Sequence, residues 1–387
     1  MIFSEKFDFK FNSNEFIKLY DNNIISKKNI INLVNSNPSD CGFVFEKRLL
    51  EKALCSYNNS SYIPDPKGFQ RARSIISDYY GKRGKKVNSD YLILTSSSSE
   101  AYSYILKLIT NPGDNILIPA PSYPLIEQLA IFENVKVSYY DLVYSDIWEI
   151  KIDCLTASIN DNTKAIVLIN PGNPAGNYVK KNEMNKICDI CRKRNISLIV
   201  DEVFFDYCFE KPDEIINDSG VLIFFINGIS KMLALPQMKL SWIYVDENSD
   251  KSNEALERLE FIADTYLSVS APVQNGLEIF FNQRENIQKS IKDRINTNYS
   301  IVKSALSDNH RVKLLNIEGG WYSVLKLNMD TDEEEFCIKL LKEKNTFVHP
   351  GYFYDFQNGN YLIVSLICGD RFSTGMKNLC DLINNYK

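Results

Sequence analysis

Histidine is almost missing from this chain of 387 residues: there are two, His310 and His349. A metal centre built on imidazole therefore has very little to work with. The nine cysteines do not replace it, because they are scattered and only Cys188 and Cys191 stand in a CxxC spacing, with no second pair beside them. Met184, Ile187, Cys188 and Cys191 recur at helical spacing, so that pair reads as the buried face of a helix. An odd, dispersed set of thiols points to a reducing cytoplasm rather than a disulfide framework. No apolar run reaches bilayer-spanning length; the longest, Val221–Ile226, has the size of a buried strand. Met1–Lys10 has no apolar core of the kind a secretory signal needs. Positive charge is not in excess either. The 44 Lys and Arg against 49 Asp and Glu leave a net charge of -5, which argues against a nucleic-acid or anionic-membrane surface. There is no internal repeat and no low-complexity tract.

What is present describes a globular α/β protein. Hydrophobic residues make up 44% of the chain and charged residues 24%, enough apolar material to fold. At this length one small core does not suffice, so two lobes, or one large unit with a small appended domain, are predicted. Between Tyr91 and Val245 a short apolar run, a polar turn and a helical stretch recur. The predicted strands are Tyr91–Leu94, Ile116–Pro119, Ala165–Ile169, Ile196–Val200, Val221–Ile226 and Leu240–Val245. Ala101, Tyr104, Ile105 and Leu108 share a helical face between two of them. Such alternation predicts a mainly parallel sheet sandwiched by helices. Past Gln283 the pattern changes to a long charged helix, Ile287 to Leu306, and then to strand-like runs at Trp321–Leu327 and Tyr361–Leu366. Residues 51–282 are therefore assigned to a large domain, and 1–50 with 283–387 to a smaller α/β domain.

Ligands of open parallel sheets bind beyond the carboxyl ends of the strands. Polar loops recur at that place: Thr95-Ser96-Ser97-Ser98-Ser99-Glu100, Ala120-Pro121-Ser122-Tyr123-Pro124, Asn170-Pro171-Gly172-Asn173-Pro174-Ala175-Gly176, Asp201-Glu202, and Asn227-Gly228-Ile229-Ser230-Lys231. Each alone has an ordinary reading. A serine run before a helix is a cap, Asn-Pro-Gly-Asn-Pro is a turn, and a lysine after serine is solvated. Their order and shared edge carry the information.

That order, preceded by Tyr62 and Gly68 and followed by Tyr266–Gln274 and Gly319-Gly320-Trp321-Tyr322, resembles the fold-type-I aminotransferases related in architecture to aspartate aminotransferase. The resemblance runs from Ile31 to the C-terminus. It implies a large domain with a sheet of the seven-stranded type and pyridoxal 5'-phosphate as cofactor. The substrates it implies are an amino acid and a 2-oxo acid. It places the cofactor on Lys231 as a Schiff base, with that lysine then moving a proton at the substrate Cα. By the same resemblance Asp201 faces the pyridine nitrogen and keeps it protonated, making the ring an electron sink. Tyr123 stacks on the ring and Asn173 donates to its hydroxyl. Ser97, Ser98 and Ser99 at the helix N-terminus receive the phosphate. Asn37 lines the substrate pocket, and Tyr62 reaches the partner's phosphate across a homodimer interface.

Three positions depart from the family's pattern. Lys239 stands where the resemblance implies an arginine on the phosphate; the charge is kept but the planar fork is lost. Phe204 replaces a tyrosine that would bond the ring oxygen. Ile363 occupies the place of the arginine that grips the substrate carboxylate, leaving either another group for that task, with Arg371 put forward against a plain surface role, or a substrate without a carboxylate there. A lyase or decarboxylase on the same scaffold, or a cofactor-binding regulator without turnover, stays open on the sequence alone. Without the hydroxyl at Phe204 the ring phenolate loses a donor, so the Schiff base is expected to keep its proton to higher pH. Phe204→Tyr should lower the pH midpoint of that spectral titration; an unmoved midpoint would refute the assignment.

Overall fold

The predicted strands form because short runs of β-branched and aromatic residues sit between turn-forming residues, too short for a helix. In the computed structural model, residues 14–386 are described apart from 27, 58–60, 216–217 and 268, together with 2, 4 and 6; most of Met1–Lys10 thus lies outside the described residues. The large sheet holds β2 (Leu92–Thr95), β3 (Asn115–Ala120), β4 (Lys136–Tyr144), β5 (Trp148–Ile150), β6 (Thr163–Ile169), β7 (Ser197–Asp201), β8 (Ile223–Gly228) and β9 (Ser241–Val245). Their order is β2-β9-β8-β7-β6-β3-β4-β5, and only β9 and β5 run against the rest. Among the described residues the sheet therefore has eight strands, seven in the main body and β5 hooked antiparallel onto the edge. Sequence reading missed β4 because it lies near that edge: its residues alternate between buried Tyr140 and Leu142 and exposed Lys136, Asp141 and Val143, so no continuous apolar run appears.

Alternate residues of the central strands feed two cores. Ile166, Leu168, Leu198, Val200 and Phe225 pack with the helices Gln70–Arg83, Lys181–Arg194 and Ala271–Asn282. Ala165, Val167, Ile199, Phe224 and Ile226 pack with Ser98–Ile109 and Ser252–Tyr266 on the other face. Cys188 and Cys191 lie in the first of these cores with Met184 and Ile187. A third core joins Phe16, Ile31, Leu33 and Phe43 to Ile295, Leu325, Leu340, Leu362 and Ile383. Its sheet, in order β10-β11-β14-β13, contains β10 (Val312–Leu314), β11 (Tyr322–Leu327), β13 (His349–Pro350) and β14 (Asn360–Ser365). The parallel pair β1 (Ile31–Asn32) and β12 (Thr346–Phe347) ties the N-terminal segment to this core. The long helix Arg284–Leu306 supplies Ile291, Ile295 and Val302 to it.

Lys85 is a buried cation beside the first core. The Lys85 ammonium lies 3.1 Å from the centroid of the Phe225 ring, flanked by Tyr80 and Tyr244, and makes no hydrogen bond. Burial pushes its pKa down to about 8, against the opposing charge of Glu202. A lysine whose folded pKa is depressed binds fewer protons folded than unfolded, so its penalty is complete below about pH 8 and disappears as pH rises past the unfolded value. Replacing it with an isosteric apolar chain removes a cost of roughly 2–3 kcal/mol. Lys85→Met is therefore expected to raise the urea midpoint at pH 7, and the advantage should vanish near pH 10. A gain independent of pH would contradict the charge argument.

Candidate active site

Strand register gathers the polar loops. Asp201 ends β7 opposite Ile169 of β6 and Ile226 of β8, Gly228 faces Ser241 of β9, and Ser241 faces Thr95 of β2. The loops after Thr95, Ile169, Asp201 and Gly228 thus leave from one edge, together with the chain entering β9 from Lys239. Gly228 is required by close approach: a Cβ there would meet the Ser241 Oγ at 2.2 Å. This contact lets the chain turn at once into the short helix Ile229–Met232 that carries Lys231.

That turn is fastened from several sides. The Ile229 amide donates to the Leu240 carbonyl at 3.0 Å, and the Tyr207 hydroxyl donates to the carbonyls of Lys231 at 2.8 Å and Met232 at 3.2 Å. Lys231 Nζ lies 5.3 Å from the centroid of Trp321 and 5.9 Å from that of Phe204. Burial lowers its pKa. A mobile amine in an apolar setting, with a fixed backbone, suits nucleophilic and proton-transfer work. Tyr207 was not singled out in the sequence, since a tyrosine in an aromatic-rich turn has no distinguishing signal.

Asp201 is 8% exposed. Its Oδ2 accepts from the Tyr102 hydroxyl at 2.9 Å and its Oδ1 from the Val203 amide at 3.0 Å. Burial pushes its carboxyl up to about 6, while those two donors pull it back down. At pH 7 it is still mainly an anion. Tyr102 belongs to the Ser98–Ile109 helix, so the helix that opens at the serine run also holds the carboxylate. Sequence reading passed over Tyr102 because its helical spacing marks it as core.

Of the three serines, Ser97 is the N-cap: its Oγ accepts from the Glu100 amide at 3.1 Å, and Glu100 accepts from the Ser96 amide at 2.6 Å. The Ser97 hydroxyl is thus engaged in capping, whereas the amides of Ser98 and Ser99 begin the helix and have no partner within it. Lys239 is exposed, in left-handed backbone at φ 52, two residues before the Ser241 that pairs with Thr95.

The remaining residues divide into those brought to this edge and those left outside it. Asn173 lies in the loop after β6, with its Oδ1 buried and unpartnered. That loop packs on the C-terminal core at Gly176, where φ is +71 and a Cβ would meet the Gly319 carbonyl oxygen at 2.7 Å. Tyr123 is 48% exposed, its ring 6.3 Å from that of Tyr354. Phe204 is buried edge-on against Trp321 at 5.3 Å, and the Trp321 indole nitrogen is buried without a partner. Asn37 is exposed and its Oδ1 caps its own turn at the Ser39 amide, 3.2 Å away. Ser36, the residue before it, lies beside the Tyr322 hydroxyl. Tyr62 is 71% exposed.

Ile363 is fully buried in β14, opposite Val324 and His349. No residue of Asn360–Ser365 is basic. Arg371 does not fill the gap. It is exposed at the start of the last helix, with its guanidinium on Asn29 and, at 3.4 Å, on the Ile30 carbonyl, which is the surface role rather than the carboxylate-binding one. The turn after Ser365 carries the chain to the outside before Arg371 is reached.

A desolvated lysine, a buried carboxylate and a capped helix with free amides share one edge. Asn173, with its buried unpartnered oxygen, joins them. This donor set matches a flat ring that carries a phosphate and a basic nitrogen. Comparison with known proteins agrees. The profile of the family described as aminotransferase class I and II matches residues 30–363. The chain belongs to that family, whose members depend on pyridoxal 5'-phosphate. It is 30% identical to nicotianamine aminotransferase 1 of Oryza sativa subsp. japonica over 73% of this chain and 60% of the rice protein. It is 25% identical to glutamate-pyruvate aminotransferase of Haemophilus influenzae over 92% of this chain and 91% of that one. Alanine aminotransferase from Pyrococcus furiosus shares its fold with a TM-score of 0.89 at 20% identity, covering 99% of both chains.

Removing the Tyr102 hydroxyl withdraws one of the two donors that keep the Asp201 carboxyl from rising further. Tyr102→Phe is expected to weaken pyridoxal 5'-phosphate binding by roughly three- to tenfold at pH 7, and by more at pH 6. Equilibrium titration of apoprotein checks this; equal losses at both pH values would separate the effect from Asp201 ionisation.

Proposed function

We propose that this aminotransferase moves the amino group of an amino acid to a 2-oxo acid, with Lys231 as both the cofactor-holding residue and the proton carrier. The observation that carries the reading is the Lys231 amine, its pKa lowered by burial, on a turn locked by Tyr207 at the same sheet edge as Asp201. The cofactor, when bound, supplies an electron sink for negative charge at the substrate Cα. Asp201 is the anion for the ring nitrogen, with Tyr102 orienting it. Asn173 serves the ring hydroxyl, Tyr123 covers the ring, and Phe204 packs beside it without a polar contact. The phosphate goes to the amides of Ser98 and Ser99 and the cap at Ser97, with Lys239 as an added point charge. Lys231 Nζ would take a proton at the substrate Cα and give it back at the cofactor carbon two bonds away, which needs a neutral amine; burial favours that form near neutral pH.

For the substrate, the lack of a basic residue in β14 leaves neutral donors on that side, among them Ser36 and Tyr322. The relatives, nicotianamine and tyrosine aminotransferases among them, support an α-amino acid donor. The same proposal includes a division into two lobes, set at residues 50 and 282 in the sequence and supported by the separate third core, whose N-terminal members end at Phe43 while Phe45 and the helix Lys47–Cys55 pack in the first core. A cytoplasmic setting, supported by nine unpaired cysteines, is part of it. It also includes a homodimer to which Tyr62 contributes. Support for that comes from the exposed side chains of Tyr62, Ile63, Tyr266 and Leu267, on segments joined by the Lys67–Glu260 pair.

The test is the visible spectrum of protein loaded with pyridoxal 5'-phosphate, recorded as amino acids are added singly. One group of amino acids should bleach the band and release an equal amount of 2-oxo acid, and Lys231→Ala should not form the band. Release of carbon dioxide or of an unsaturated product in place of the 2-oxo acid would replace transamination with decarboxylation or elimination. A band unchanged by every amino donor would end the enzymatic reading.

A further inference from the structure

Glu202 follows Asp201 and is fully buried on the opposite side of the strand end. Burying a second carboxylate there requires a counter-charge. Arg83, the last residue of the Gln70–Arg83 helix, provides it: its two terminal nitrogens donate to the two oxygens of Glu202, each at 3.0 Å. The same guanidinium donates to Glu214 at 2.9 and 2.8 Å and to the Tyr79 hydroxyl at 3.1 Å. It also lies 3.5 Å from the centroid of the Phe205 ring, and Tyr79 donates to Asp206 at 3.0 Å. Arg83 therefore holds the turn after Asp201 at residues 202 and 205 directly, and at 206 through Tyr79.

We propose that Arg83 is a positioning residue for the cofactor: it clamps the turn that carries Asp201 and cancels the glutamate charge beside that aspartate. The proposal rests on Asp201 as the partner of the ring nitrogen. Asp201 faces Tyr102 from the phosphate-loop helix and the Val203 amide of its own turn. Glu202 faces Arg83, with Tyr79, Tyr80 and the Lys85 ammonium around it. Glu214 and Asp206 are the other acids on Arg83 and Tyr79, Arg284 and Lys292 act on Asp206, and Asp246 acts on Lys85. Within this set Arg83 is the group that hydrogen-bonds Glu202 through both oxygens, so its removal leaves a charge whose repulsion reaches Asp201.

The direction of the effect is opposite for the two partners. Losing Arg83 exposes Asp201 to the Glu202 charge and makes it harder to ionise; losing the Glu202 charge makes it easier. The readout is the affinity of apoprotein for pyridoxal 5'-phosphate from about pH 5 to 8, whose acid limb follows Asp201 ionisation. Arg83→Met should move that limb up by about one pH unit, weakening binding roughly tenfold below it, and Glu202→Gln should move it down. Arg83→Lys should restore part of the wild-type position. A uniform loss of affinity with the limb unmoved would mean that Arg83 only supports the fold, and would overturn the proposal. If Arg83→Met does not fold, Glu202→Gln decides alone, and an unmoved limb there overturns it equally. Asp201→Ala separates the two levels: if that variant keeps the wild-type limb, the assignment of Asp201 itself fails.

Discussion

Two consecutive carboxylates buried at the end of β7 impose the strongest constraint on this molecule. A charge taken out of water persists only if donors or counter-charges replace the water. Asp201 and Glu202 point to opposite sides of the sheet, so each needs its own arrangement. On one side Tyr102 and the Val203 amide serve Asp201. On the other a full guanidinium serves Glu202. Among the described residues Asp201 receives neutral donors only, whereas both oxygens of Glu202 are taken by Arg83. The difference in partner fits the different roles proposed for these adjacent residues of one chemical type.

The same logic governs the lysine. Lys231 has no acidic partner among the described residues, only aromatic faces at 5.3 and 5.9 Å. Its amine is therefore destabilised as a cation and available as a base. Its backbone, by contrast, is over-determined: Gly228 permits the turn, Leu240 receives the Ile229 amide, and Tyr207 receives no freedom to leave, being bonded to two carbonyls. A free side chain on a rigid backbone is what repeated proton movement at one atom needs.

Much of this was legible in the sequence, for physical reasons. The central strands are buried on both faces and so read as continuous apolar runs, which fixed six of the eight strands to within a few residues. The long charged helix and the runs at Tyr322–Leu327 and Asn360–Ser365 were legible because their periodicities differ. The loops at the sheet edge stood out because polar residues repeatedly followed apolar runs. What stayed hidden were tertiary pairings. Tyr102, Tyr207 and Arg83 look like core or surface residues of their own elements, and only the folded chain shows whose atoms they touch. Arg371, put forward against a plain surface role, shows the same limit. Closeness in sequence to β14 suggested closeness in space, but the turn after Ser365 delivers it to Asn29 on the outside.

The charge distribution around the edge has a consequence for recognition. Lys231, Asp201, Lys239 and the helix amides come from the large sheet, whereas β11 and β14 offer Trp321, Tyr322, Ile363 and Ser365. On the assignment proposed above, cofactor binding is electrostatic, and what the C-terminal core offers a substrate from these two strands is neutral donors and apolar contact. Neutral donors hold a carboxylate less strongly than a guanidinium fork, but they also reject fewer partners. The tyrosines at 322 and 354, with His349 bonded to Tyr354 at 3.1 Å and Tyr123 facing Tyr354 from the large-sheet loop, make that side aromatic. Burial lowers the His349 pKa to about 4, which leaves the imidazole neutral at physiological pH. On the proposed assignment the C-terminal side discriminates by shape and by hydrogen-bond geometry, while the charges of the site come from the large sheet and its loops.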